Sequence, residues 1–120
     1  MEYTINGGAV LRFDPQDPKT RKQFAKAEAK IRAIEKQLTG KLNALKKKSA
    51  QGAGEAAIDL MCRTDKRMKA VLNTAFGPGN DFDKLLDGVS LVAVASNGKR
   101  VVDNLLDMLR EQMNKYAQEE

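Results

Sequence analysis

The feature that most constrains this fold is a seven-residue apolar repeat in the first half of the chain. Asp17 is suited to cap a helix there, and Pro18 is suited to its first position. The repeat predicts a helix over 18–48 with one narrow apolar face, about 45 Å long. That exceeds what a compact domain needs, so we expect part of the face to pack against another chain. The face consists of Phe24, Ala27, Ile31, Ile34, Leu38, Leu42 and Leu45.

The same segment carries most of the positive charge of the protein. Residues 19–48 contain 11 Lys or Arg and 2 Asp or Glu, a net charge of +9, and the remainder carries −4. The overall charge of +5 therefore describes neither part. Six residues form the predicted basic patch: Lys22, Lys26, Lys30, Lys46, Lys47 and Lys48.

Turn signals divide the remaining sequence into short elements. Asn6-Gly7-Gly8 is typical of a tight turn between two strands. Ser49 to Gly54 indicates a flexible turn between helices, and Phe76-Gly77-Pro78 is a typical helix end. The fold class predicted is mainly α, in a single domain 1–120. Its elements are a hairpin at 2–13, the basic helix at 18–48, a helix at 55–76, a short helical turn at 81–87 and a helix at 90–118.

The last helix is the least determined element. Val89 to Ala95 alone is compatible with a strand, but apolar residues keep three-four spacing through to Tyr116. We therefore predict one helix from Ser90 to Gln118, with Gly98 on its packed face at a close helix crossing. The alternative is a true break at Asn97-Gly98.

The composition excludes several kinds of functional site. The chain has no His and one Cys, so it lacks the commonest general base and cannot form an internal disulfide or a cysteine zinc cluster. The acidic residues after Asn80 do not have the spacing of a calcium loop. We predict a non-enzymatic protein with no catalytic residue, cofactor or metal. Cys62, on the predicted apolar face of the second helix, is expected to be a buried structural thiol.

The order of motifs resembles that of small phage and prophage tail-assembly-chaperone-like proteins of Gram-positive bacteria. The resemblance rests on a short strand pair that includes Ile5-Asn6-Gly7, followed by a basic helix and a second helix ending in a Phe-Gly-x-Gly turn. A Leu85-Leu86-Asp87-Gly88 turn and a last amphipathic helix complete the pattern. The residues that match motif positions are Phe76, Gly77, Gly79 and Gly88.

This resemblance implies a protein that coats the tape-measure protein during tail assembly and recruits tail-tube subunits. The lone thiol and the lack of an export signal predict a cytoplasmic location, which the resemblance places in a bacterial host cell. The longest apolar run, Leu91 to Ala95, is too short to span a membrane, so no membrane association is expected. The length of the apolar face on the basic helix predicts a homo-oligomer. The face between the second and last helices is then the candidate surface for packing or partner contact. Its residues are Met68, Val71, Leu72, Phe76, Leu105 and Met108.

The alternative function is nucleic-acid binding by the basic helix 19–48. Exposed lysines on one helix can contact phosphates without reading sequence. Base-reading and stacking side chains are sparse there, so the basic patch alone carries this interpretation.

Overall fold

The computed structural model describes residues 2–4, 10–48, 53–77 and 79–117. It confirms a mainly helical fold with a pair of short strands, three long helices and one short helical turn. The predicted turn at Asn6-Gly7-Gly8 and most of the one at 49–54 lie outside the described residues. The elements are β1 (Glu2–Thr4), β2 (Val10–Arg12), α1 (Pro18–Lys48), α2 (Ala53–Phe76), α3 (Phe82–Leu85) and α4 (Val101–Ala117).

The N-terminal strands and the start of α1 follow local sequence signals. β1 and β2 are antiparallel, with Thr4 opposite Val10. The Asp17 carboxylate accepts hydrogen bonds from the Lys19 N–H and the Thr20 hydroxyl, both at 3.1 Å. Asp17 thus satisfies a backbone donor that has no partner within the helix, as the sequence predicts.

Helices α1 and α2 form a long antiparallel hairpin that is buried over only part of its length. On α1 the buried positions run from Phe24 to Leu38, and on α2 they begin at Thr64. No described residue between 39 and 63 is buried. We call the described residues 39–47 and 54–63 the hairpin end. The molecule measures 54 × 27 × 26 Å, so this end extends past the core along the long axis.

All four phenylalanines of the chain meet at the end of α2. The Phe76 ring lies 5.1 Å from Phe13, 6.3 Å from Phe24 and 5.6 Å from Phe82, measured between ring centroids. α2 ends after Phe76 because Gly77 adopts φ +81°, a left-handed conformation that side chains disfavour. This cluster joins α1, α2, α3 and the residue that follows β2 in one core.

The prediction of a single helix over 90–118 is wrong. α4 begins at Val101, and the preceding segment is a tight turn in which Gly98 has φ +81° and is exposed. The Ala95 N–H donates to the Lys99 carbonyl at 2.7 Å, which closes the turn. The break at Asn97-Gly98 is therefore real, and no close helix crossing occurs at Gly98. Leu91 is buried in this segment outside any helix or strand.

α4 is held against α1 by ion pairs and one side-chain-to-backbone bond. Arg32 of α1 pairs with Asp103, and Arg110 of α4 pairs with Glu28. Arg21 donates to the Met113 carbonyl at 2.8 Å. The charged residues of α1 that face α4 are therefore engaged within the fold.

The apolar face predicted for the second helix is only partly buried. Met68 and Leu72 are fully buried, but Ile58 is 63% exposed and Cys62 is exposed. The prediction of a buried Cys62 is therefore wrong, because this part of α2 extends beyond the elements that could cover it.

None of the helices within the described residues has the length and hydrophobicity of a membrane-spanning segment.

Candidate functional site

Most of the predicted partner-contact residues belong to the core. Met68, Leu72, Phe76 and Leu105 are buried, whereas Val71 and Met108 are half-buried against them. The face between α2 and α4 is therefore closed by internal packing. Of the six, only Val71 also lines a surface groove, which is described below.

The Phe-Gly-x-Gly turn has a structural task in the folded chain. Gly77, Gly79 and Gly88 all have positive φ, at 81°, 92° and 73°. The following Asn80 is 6% exposed and binds the edge of β2 like a strand residue. Its amide donates to the Arg12 carbonyl at 2.8 Å, and its Oδ1 accepts the Arg12 N–H at 3.0 Å.

The basic patch lies on the solvent side of α1. Lys22, Lys26, Lys30, Lys46 and Lys47 are exposed, and the side chain of Lys48 lies outside the described residues. Helical spacing places most lysines of α1 on the face opposite α4.

A groove runs along the same side of the molecule, between α1 and α2. It consists of three neighbouring depressions, and all the residues that line them come from these two helices. Arg67 lines two adjoining depressions, and Lys30, Ala70 and Val71 also line two. The depressions are therefore continuous. We call this feature the α1–α2 groove.

The walls and floor of the groove differ in chemistry. The floor is aliphatic, with Leu45, Leu60 and Val71 half-buried and several alanines among them. The charged side chains that line it are all basic: Lys26, Lys30, Lys41, Arg63 and Arg67. All five are exposed.

These five cations have no internal partner among the described carboxylates. The ion pairs formed among the described residues have four cations: Arg32, Lys69, Lys99 and Arg110. The groove is therefore a basic, apolar-floored channel whose charges are not neutralised by the fold.

A buried lysine, by contrast, is fully engaged within the protein. Lys69 is 5% exposed, and its ammonium group lies 2.9 Å from the Asp65 carboxylate and 2.7 Å from that of Asp83. Burial alone lowers the pKa of Lys69, but the bonds to Asp83 and Asp65 outweigh it and raise the pKa. Asp65 also accepts the Leu91 N–H at 2.7 Å. With its partners satisfied, this cluster joins α2, α3 and the segment before α4.

A second ionic cluster lies between α1 and α4. Burial, followed by the hydrogen bond and charge of Asp103, raises the pKa of Glu35 above its ordinary value, against the lowering effect of Arg32. Arg32 pairs with both carboxylates. This cluster fixes the packing of α4 and is formed by residues of the fold alone.

Sequence reasoning found the lysines of α1 but missed the groove. Arg63 and Arg67 are four residues apart on α2, a spacing that places them on one helix face, and this signal was available. Their alignment with Lys41 and Lys30 depends on how the two helices pair.

Comparison with known proteins gives no independent guide to this surface: no family model, no curated protein and no solved structure matches the chain.

Proposed function

We propose that the protein is a non-enzymatic assembly chaperone or scaffold that covers apolar segments of a long helical partner. Its resemblance to tail-assembly-chaperone-like proteins names that partner class as tape-measure and tail-tube proteins, in a bacterial cytoplasm. One observation carries the proposal: the hairpin end has apolar side chains and no core of its own.

The apolar residues of the hairpin end come from both helices. Ile58 is 63% exposed, and four others are only half-buried: Leu42, Leu45, Leu60 and Met61. Apolar surface that the fold leaves uncovered can serve as a protein contact site. A partner that covers this surface removes it from water, which favours association by the hydrophobic effect.

Co-expression with a long helical phage tape-measure protein tests this proposal. We expect the soluble fraction of that protein to rise when the wild-type chain is present, and Ile58→Glu to abolish the rise. Val94→Glu is the matched control, because Val94 is 67% exposed and lies outside the hairpin end. An unchanged soluble fraction with the wild-type chain contradicts the proposal.

Self-association through the hairpin end is part of the same proposal. Light scattering over a concentration series should give a mass above that of one chain, which Ile58→Glu reduces. A monomer at every concentration removes the homo-oligomer and leaves a one-to-one chaperone.

Nucleic-acid binding is the second candidate, favoured by the exposed lysine face of α1. It predicts binding whose logarithm falls linearly with the logarithm of salt concentration. Changing Lys46, Lys47 and Lys48 to Glu should then weaken binding to any sequence alike. Absence of binding at low salt rejects this function.

A further inference from the structure

We propose that the α1–α2 groove binds an acidic amphipathic helix from a partner protein. The proposal rests on the proposed function, in which the chain binds a helical protein, and it adds the site and the chemistry of the bound segment. The partner helix presents small or aliphatic residues to the floor of the groove and Asp or Glu to its walls.

The shape of the groove fits a helix. Small side chains allow the close approach of a third helix, and alanines line the groove on both sides. Ala33, Ala44 and Ala70 are exposed although they line it, so the floor is open to a ligand. From Ala27 to Leu45 the groove follows α1 for about 27 Å, the length of a helix of roughly five turns.

The charges of the groove select an acidic partner. Its five exposed cations lie on both helices, and no carboxylate lines the three depressions. Arg32, Lys69 and Arg110, by contrast, each pair with a carboxylate of the fold. A helix with carboxylates flanking an apolar stripe complements both the walls and the floor.

The groove favours a protein over a nucleic acid. No aromatic residue lines it, so bases have no stacking platform. Its half-buried Leu45, Leu60 and Val71 gain nothing from phosphates. The α4 helix of a second copy is also a poor match for the bound helix, because its Asp103 and Asp107 already pair with Arg32 and Lys99.

The probe is a capped peptide of about 18 residues with Leu and Ala at helical three-four spacing and Glu on both flanks. We expect saturable binding to the full-length protein by fluorescence anisotropy, together with a gain of peptide helicity. The same peptide with Lys in place of Glu should bind at least tenfold more weakly.

Two sets of variants locate the site. Arg63→Glu with Arg67→Glu should weaken binding at least tenfold, whereas Lys22→Glu with Lys36→Glu makes the same charge change on exposed α1 residues outside the groove and should weaken it less than threefold. Ala44→Trp leaves the charge unchanged, fills the groove at an exposed position and should also weaken binding at least tenfold. Circular dichroism checks that each variant folds.

The outcomes separate this proposal from the proposed function. If the tape-measure-like partner is kept soluble but neither the Arg pair nor Ala44→Trp changes this or peptide binding, the groove is not the site. If the acidic peptide binds in the groove but the long partner does not, the inference stands and the chaperone role fails. Equal loss with the Lys22 and Lys36 pair overturns helix docking, because phosphate or other non-specific anion binding depends on total charge.

Discussion

Substitution of Asn80 tests whether the turn after α2 stabilises the fold by binding the backbone of β2. Its side chain makes three hydrogen bonds: two with the backbone of Arg12 and one from its amide to the Phe76 carbonyl, at 3.0 Å. Asn80→Ala removes the partner of all three backbone groups. Each buried group left unpaired costs about 1 to 3 kcal/mol. Since the Arg12 groups are only partly buried, we expect a loss of about 3 kcal/mol, near the lower limit of that sum.

Thermal unfolding followed by circular dichroism measures this loss. For a chain of this size, about 3 kcal/mol corresponds to a fall in Tm of roughly 12 °C. Asn114→Ala is the control, since Asn114 is exposed on α4, and it should change stability by no more than about 0.5 kcal/mol.

Asn80→Asp sharpens the same test. At neutral pH the carboxylate can still accept the Arg12 N–H, but it also faces two carbonyl oxygens. The folded-state pKa of this Asp should therefore be raised, so its deficit should shrink as the pH falls and the protonated group regains one donor. If Asn80→Ala unfolds at the same temperature as the Asn114 control, Asn80 does not hold the strands.

Four further substitutions test three other features. Gly98→Ala should cost about 1 kcal/mol because of its positive φ, although a Cβ there meets no atom within 4 Å, whereas Gly40→Ala, inside α1 with equal space, should gain roughly 0.5 to 1 kcal/mol. Unfolding in denaturant measures both free energies, and equal changes in the free energy of unfolding for the two variants contradict this prediction. Lys69→Met should lose about 3 kcal/mol by leaving Asp65 without its cation, and a neutral result shows that the pair is dispensable. Glu35 has a raised folded-state pKa, so its stabilising protonated form is lost as the pH rises; Glu35→Gln should stabilise the fold at pH 7 and lose this advantage below the ordinary pKa of 4.5. A pH-independent difference refutes that assignment.

The helix ends that depend on local chemistry were predictable from sequence. Asp17 with Pro18 begins α1, and Gly77 ends α2, because each acts on the backbone of its own neighbours. The start of α4 was not predictable in this way. The turn at Gly98 brings the Val102 N–H to the Leu91 carbonyl, at 2.9 Å. The apolar residues before this turn keep helical spacing in the sequence, although the segment that carries them is not helical.

Features that depend on distant contacts were missed for a different reason. Asp65 interrupts the apolar face of α2 in the sequence, but in the fold it serves Lys69 and the Leu91 N–H. Ile58 and Cys62 have core spacing but no element to cover them. Periodicity reports which face of a helix is apolar, and the neighbours of that face decide whether it is buried.

Because the core lies at one end of the hairpin, the lengths of α1 and α2 can change without affecting the core. Removing seven residues from each helix within the hairpin end would shorten the groove by about 10 Å and delete no buried side chain. Lengthening it by the same step would preserve the apolar repeat of α1 and the core alike. Sequence change can therefore adjust how much of a partner the protein covers without re-forming the fold that supports it.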